Sequence, residues 1–401
     1  MRSARQEHGS QGLLAIFLRT DRFFLPDRWF AETWLGGYTV CMNSKDASLI
    51  PVRSLRGRGT LTNPANRFAR TVSEADHDGW TEDAPLTAAT EVRIEQSKSI
   101  ITRNQSPDLP FDRSINPYRG CEHGCVYCYA RPSHAYWDMS PGLDFETRLI
   151  ARVNAASLLE RELSKPGYQC APINIGANTD PYQPVEREYR LTRECLEVLL
   201  RYRHPVTLVT KGALILRDLD LLEELARHRL VRVMISLTTL DNEVKCTLEP
   251  RAAAPAARLR IIRALSSRGV PVGVLLAPII PMVNDVELER LLEVASDAGA
   301  SSASYILLRL PREVGPLFEE WLDTHMPLRA EHVLSLIRQC RGGELYDASF
   351  GKRYRGEGVF ATLLSQRFAL AVKRLGLNRS ELNMDLDCSL FAPPGSQMAL
   401  L

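Results

Sequence analysis

From about Asp112 onward, short apolar or β-branched runs alternate with amphipathic stretches of helical period, whereas before that point no period is sustained. Extended runs are expected at Ser114–Pro117, Ala171–Ala177, Val206–Thr210, Val231–Leu237, Val272–Ala277 and Ser304–Leu308. The stretches between them read as helices. Thr147–Leu163 places Leu149, Ile150, Val153, Ala156, Leu159 and Leu163 at three- and four-residue steps. Thr192 is expected to cap a helix carrying Cys195, Leu196, Leu199 and Leu200, and Leu219, Leu222, Leu225 and Ala226 mark the next. A helix through Ile261, Ile262 and Leu265 should stop at Gly269, and Asn284 should cap one bearing Leu288, Leu291, Leu292 and Ala295.

Six strands separated by helices, in units of about 25 to 40 residues, make an α/β chain of the βαβ kind. Six parallel βα units form three quarters of a TIM barrel. The expected organisation is a poorly structured leader over 1–100, a partial (β/α)6 barrel over 101–310, and a helical C-terminal extension over 311–401 that could serve as a lid. The first 41 residues match the remainder poorly, which leaves Met42 as a second candidate start.

In such barrels the loops after the strands' carboxyl ends carry the chemistry. Polar residues do gather there: Asn116 to Gly120, then Asn178 to Gln183, Lys211-Gly212, Ser236 to Thr239, and Asn284 beyond the fifth strand. The first of these loops continues into C-E-H-G-C-V-Y-C, which spaces Cys121, Cys125 and Cys128 as C-x-x-x-C-x-x-C. Three thiolates on one loop can wrap a single inorganic centre. A [4Fe-4S] cluster normally takes four thiolates, so three would leave one iron open to a small molecule. Zinc held by the same thiols with His123 or a distant ligand is the alternative, although a histidine two residues from each flanking cysteine is poorly placed to share their metal. A disulfide framework suits the chain least, because nine cysteines is an odd number and no secretory signal is evident.

The cysteine motif resembles that of the radical S-adenosylmethionine superfamily. N-P-Y-R-G-C-E-H-G-C-V-Y-C-Y-A-R (116–131), T-D-P-Y-Q-P-V-E (179–186) and T-K-G (210–212) are similar, more closely, to the spore photoproduct lyase-like branch. The likeness spans about Ser114 to Leu310. It implies that Cys121, Cys125 and Cys128 bind a [4Fe-4S] cluster and that Tyr127, Tyr129, Thr179, Asp180, Lys211 and Ser236 contact S-adenosylmethionine. Asp180 would accept from its ammonium, Lys211 and Ser236 would meet its carboxylate and ribose, and Tyr127 would wall its adenine. It also implies a low-potential electron donor such as ferredoxin or flavodoxin. One position departs from the branch: where lyases of this kind carry a hydrogen-donating cysteine three residues before the aspartate, this chain has Ala177. The segment after Leu308 resembles a bacterial subgroup without an assigned substrate.

Composition narrows the rest. With 401 residues, 45% of them hydrophobic, the chain can bury a sizeable core, and a formal charge of +2 gives no overall field that points to nucleic acid or membrane. The apolar run Gly12–Leu18 is far short of the ~20 residues of a membrane span. The remaining thiols read as small buried hydrophobes, and a monomer in a reducing cytoplasm is expected. Charge does collect locally: residues 328–379 hold ten Lys or Arg against four Asp or Glu, with Lys352-Arg353-Tyr354-Arg355 near Phe350 and Phe360. Cations interleaved with aromatics suit phosphate contacts with base stacking, which makes nucleic acid one expected substrate class. A protein, peptide or small metabolite is the other, and a zinc-stabilised nucleic-acid-binding protein without enzymatic activity is the reading outside enzymes. His123, His134, Tyr136 and Trp137 are expected to be wall and packing residues.

Overall fold

Alternating burial along the strands explains the sheet. In this computed structural model residues 57–69, 88–379 and 385–394 are described, all within the compact unit Val52–Leu401; the unit Met1–Pro51 lies outside the described residues. The described chain runs through β1 (Glu91–Glu95), β2 (Ile101–Arg103), β3 (Arg113–Ile115) and the short β4 (Tyr118–Arg119) into the cysteine loop, which leads to a 3-10 helix, Arg131–Trp137. Next come α1 (Asp144–Thr147), β5 (Arg148–Arg152), α2 (Ala155–Leu163), β6 (Ile173–Ile175), α3 (Glu186–Tyr189), α4 (Leu191–Arg201), β7 (Val206–Thr210), α5 (Leu219–Arg227) and β8 (Val231–Ser236). The remainder is α6 (Asn242–Leu248), α7 (Pro255–Ser267), β9 (Val272–Ile279), α8 (Leu288–Asp297), β10 (Ser302–Leu307), α9 (Val314–His325), α10 (Ala330–Gln339) and α11 (Gly358–Leu375).

Six strands stand parallel in the order β10-β9-β8-β7-β6-β3, with β2 antiparallel at the β3 edge. One face is dry: Ile115, Ile175, Leu208, Val233 and Val274 share a core with Leu196, Leu222, Ile261 and Leu291 from the helices. Each such side chain contributes about 1.5–3 kcal/mol by leaving water. On the other face Thr207, Val209, Arg232, Met234 and Leu275 remain half-buried although they sit in mid-sheet, as do Ser302 and Ser304 on the edge strand β10. This half-buried face, with its mixture of polar and apolar side chains, is the lumen of a partial TIM barrel. A second sheet, β1-β5-β4, packs Tyr118, Leu149 and Ala151 with Val185 and Leu191.

Several expectations are corrected. The single helix expected over Thr147–Leu163 is instead the end of α1, strand β5 and α2, because Leu149, Ile150 and Ala151 are sandwiched between two strands and buried on both faces. Thr192 does not cap α4: its hydroxyl donates to Pro181 O, and the Glu186 carboxylate accepts from Thr192 N (3.0 Å) and Arg193 N (3.3 Å) at the helix start. Asn284 does not cap α8 either; its amide donates to Thr238 O and Pro278 O, tying together the ends of β8 and β9. Most of the expected leader lies outside the described residues; of the two arrangements open to it, wrapping the core or trailing from it, its described stretches, 57–69 and 88–100, take the first, being bonded to the core. Among the described residues no helix is long and apolar enough to cross a membrane.

Candidate metal and cofactor site

The cysteine loop begins at Gly120, whose φ of +75° and lack of room for a Cβ (2.7 Å from Leu149 Cδ2) explain why glycine stands there. Cys121 N donates to Phe145 O and Val126 N to Leu248 O, so the loop is held from two sides, and Cys128 N closes a turn onto Cys125 O. Arg131, fully buried, reaches back under the loop: Nε donates to Cys125 O (2.9 Å), Nη1 to Gly142 O (2.9 Å), and Nη2 to Glu146 Oε1 (2.5 Å). Glu146 also accepts from Gly59 N (2.9 Å), Thr60 N (3.1 Å) and Thr60 Oγ1 (3.1 Å). This pair therefore meets the condition for a tolerable buried ion pair, with its remaining hydrogen-bonding groups satisfied.

The rim residues expected from the sequence lie around this loop, and several of them bond to the protein itself. Asp180 accepts four hydrogen bonds from the protein itself: Oδ1 from Tyr182 N (2.9 Å) and Thr210 Oγ1 (2.6 Å), Oδ2 from Lys211 N (2.7 Å) and His123 Nδ1 (3.2 Å). Burial alone would raise this carboxyl, but the facing His123 and the hydroxyl and amide donors override it and hold the group at about 2. No lone pair is left for an ammonium. Thr179 Oγ1 donates to Tyr118 O (2.9 Å). Tyr127 OH donates to Glu249 Oε2 (2.6 Å), and the Lys211 Nζ stands 5.8 Å from the Tyr127 ring. Tyr129, exposed, donates its hydroxyl to Ala177 O. Ser236 ends β8, its carbonyl accepting from Arg258 Nη1 (3.1 Å). His134, Tyr136 and Trp137 line a cavity of about 180 Å³ with Arg119 and Asn178, and the Arg119 guanidinium lies 3.8 Å over Trp137.

Glu249 and Arg258 were not singled out from the sequence. Both are fully buried and paired; Glu249 Oε2 also accepts from Thr238 Oγ1 (3.3 Å) and lies 4.0 Å from Cys125 Sγ. The only sequence signal was a Glu-Pro and an Arg nine residues apart in a stretch that otherwise reads as a polar connection and helix start. Cys170 and Cys388, read as separate thiols, meet each other.

The donor set suits an iron–sulfur group. All three thiols are free, Cys121 buried and the other two half-buried. Burial pushes them up, Cys125 to about 12, while Lys211 beside Cys125 and Arg131 beside Cys128 pull the other way. Loading metal there must release protons. A zinc set fits less well, because His123 turns to Asp180.

The model of the radical SAM superfamily matches residues 115–295, which contain the cysteine loop and every rim residue named above up to Asn284. Uncharacterised proteins of Mycobacterium tuberculosis and Mycobacterium bovis are each 36% identical over 233 residues, 58% of this chain and 68% of theirs. One from Methanocaldococcus jannaschii is 27% identical over 173 residues, 43% of this chain and 62% of that one. A spore photoproduct lyase complexed with dinucleoside spore photoproduct superposes with a TM-score of 0.53 at 14% identity, covering 71% of this chain and 79% of the lyase; the likeness is one of fold. The chain belongs to the radical SAM superfamily, enzymes that work with an iron–sulfur cluster and S-adenosylmethionine.

Proposed function

We propose that Cys121, Cys125 and Cys128 hold a [4Fe-4S] cluster with one iron left for S-adenosylmethionine, and that the enzyme removes a hydrogen atom from a substrate at the barrel rim. The observation that carries this reading is three free thiols on one loop, braced by buried ion pairs and facing the carboxyl ends of a parallel sheet. When bound and reduced by a low-potential donor such as ferredoxin or flavodoxin, the cluster and S-adenosylmethionine supply the one-electron chemistry that breaks a C–H bond. The chain's own residues position and enclose. Asp180 with His123, and Glu249 with Tyr127 and Arg258, lock the loop to the ends of β6, β7 and β8. Because Tyr127, Thr179 and Asp180 spend their polar atoms on that frame, Lys211, Ser236 and the Tyr129 ring are the rim groups left to meet S-adenosylmethionine.

Nucleic acid bound through Lys352, Arg353 and Arg355 is the weaker substrate reading. Lys352 pairs with Glu357 (2.6 Å), Arg353 with Asp108 (2.5 Å), and Arg355 lies 3.9 Å over the buried Tyr305 ring. Arg338, Arg367 and Arg374 pair with Glu319, Glu289 and Glu293, acids outside the basic stretch. The local charge excess is thus largely cancelled within the fold.

Anaerobic reconstitution tests the reading. A brown protein with about four irons and four sulfides per chain, releasing methionine and 5′-deoxyadenosine on reduction, is expected; Cys125→Ala should lose most of the iron and that turnover. A colourless protein with stoichiometric zinc, or a Cys125→Ala variant equal to its parent, rules it out.

A further inference from the structure

Arg309 lies two residues beyond β10, and its guanidinium carbon stands over three tyrosine rings: Tyr354 at 4.7 Å, Tyr129 at 5.2 Å and Tyr346 at 5.8 Å. Among the described residues its one hydrogen bond is from Nη2 to Tyr346 OH (3.3 Å), and its buried Nε has no partner there. No carboxylate among the described residues pairs with it. Its neighbours carry more bonds, although the Nε of Arg341 is likewise buried without a partner. Arg341 donates to four carbonyl oxygens, of Leu307, Leu308, Lys352 and Arg353, and Arg353 forks onto Asp108. Arg309 and Arg341 are close enough that each opposes the other's charge, and Arg309 bears on Tyr129, the residue that follows Cys128.

Aromatic faces hold a guanidinium by its flat side and leave its donor edge unsatisfied. A buried donor without a partner is destabilising, and that loss is removed when an acceptor arrives. Resting on the reading of the site given above, we propose that Arg309 is the anchor for an oxyanion carried by the substrate, a carboxylate or a phosphate, held beside the cysteine loop within a cage of Tyr129, Tyr346 and Tyr354. The planar fork matches either group in two-point fashion. The three rings fix the plane of the guanidinium and so would set the orientation of whatever it holds.

The probes are inorganic phosphate and acetate, titrated by calorimetry at low ionic strength into the full-length, anaerobically reconstituted protein. Saturable binding of at least one is expected. Arg309→Gln should weaken it at least tenfold, Arg309→Lys should retain part of it, and Arg374→Gln, which removes a surface pair with Glu293, should leave it unchanged. Which probe binds more tightly tells phosphate from carboxylate. Iron content and dithionite-driven S-adenosylmethionine cleavage without added anion, measured on the same preparations, should be equal in wild type and Arg374→Gln. The proposal is overturned if neither probe binds the wild type, or if Arg309→Gln binds both as well as its parent. Failure of the wild type to cleave S-adenosylmethionine would sink the reading of the site and leave the anion titration to stand by itself.

Discussion

Asp180 illustrates what residue types reveal and what they conceal. That it stands at a strand end next to the cysteine loop could be read from T-D-P-Y after an apolar run, but its four donors come from residues 123, 182, 210 and 211, a convergence no local pattern encodes. Asp180→Asn should therefore act through stability and not through cofactor affinity. A loss of about 1–3 kcal/mol in denaturant unfolding and reduced iron retention are expected; an unchanged unfolding midpoint with weakened S-adenosylmethionine binding would return Asp180 to the role inferred from resemblance. His134 and His204 give the chain an acid sensitivity. Burial lowers both to about 4, the first with its Nε2 donating to Arg148 O (2.9 Å), the second between Tyr168 OH and Pro205 O. The unfolded chain takes up these protons near pH 6.5 and the folded one only near 4, so stability present above 6.5 falls as pH drops through this window and levels off below it. Up to about 3 kcal/mol per imidazole is at stake. Urea titrations at pH 7, 5.5 and 4.5 measure it, and His134→Gln should flatten the slope by roughly half.

Elements were legible where burial has a period. The six parallel strands follow from β-branched and leucine runs packed under amphipathic helices, and their ends were expected to within a few residues. Strand β5 was missed because a strand buried on both faces loses its alternation and then shares the spacing of a helix. The strap 57–69 was missed for a different reason: it contributes backbone amides and a few polar side chains to a carboxylate, and neither leaves a trace in hydropathy. Its effect is nevertheless local and strong. A Cβ on Gly59 would lie 1.7 Å from Gly124 O in the cysteine loop. Gly59→Ala should therefore lift the strap, break the amide bonds to Glu146, and expose Arg131 to water. The expected outcome is at least a twofold loss of iron after reconstitution, while the circular dichroism of the barrel is retained. Full iron loading in that variant would show that the loop holds its shape without the strap.

On the scale of the molecule, the sheet has two edges, β10 and β2, and an open barrel must bridge them or leave its lumen exposed between them. Segment 341–357 makes the bridge. Tyr354 O accepts from Leu307 N (2.9 Å) at the β10 edge, and buried Arg341 bonds Leu307 O and Leu308 O there. At the far edge Asp108, in the connection between β2 and β3, accepts from Gly351 N (3.3 Å) and Arg353 Nε (2.8 Å). Arg353 and Asp108 are nearly buried, at 14% and 13% side-chain exposure, so a two-point charge-assisted contact there is worth more than a surface pair, about 1–3 kcal/mol. The segment is anchored twice at β10 and once at Asp108, which makes the Asp108 end the one able to open. Asp108→Ala should accordingly accelerate tryptic cleavage at Lys352 and Arg353 several-fold and speed amide exchange over 349–356. The global unfolding midpoint should barely move, because the core under α7 and α8 is untouched. Arg353→Ala, which itself deletes one trypsin site, should speed cleavage at Lys352 and the same amide exchange, and the double variant should add little to Asp108→Ala, since both single changes remove the ion pair. Equal protection in wild type and Asp108→Ala would mean that Arg341 alone holds the segment and that the gap between the edges stays closed without the ion pair.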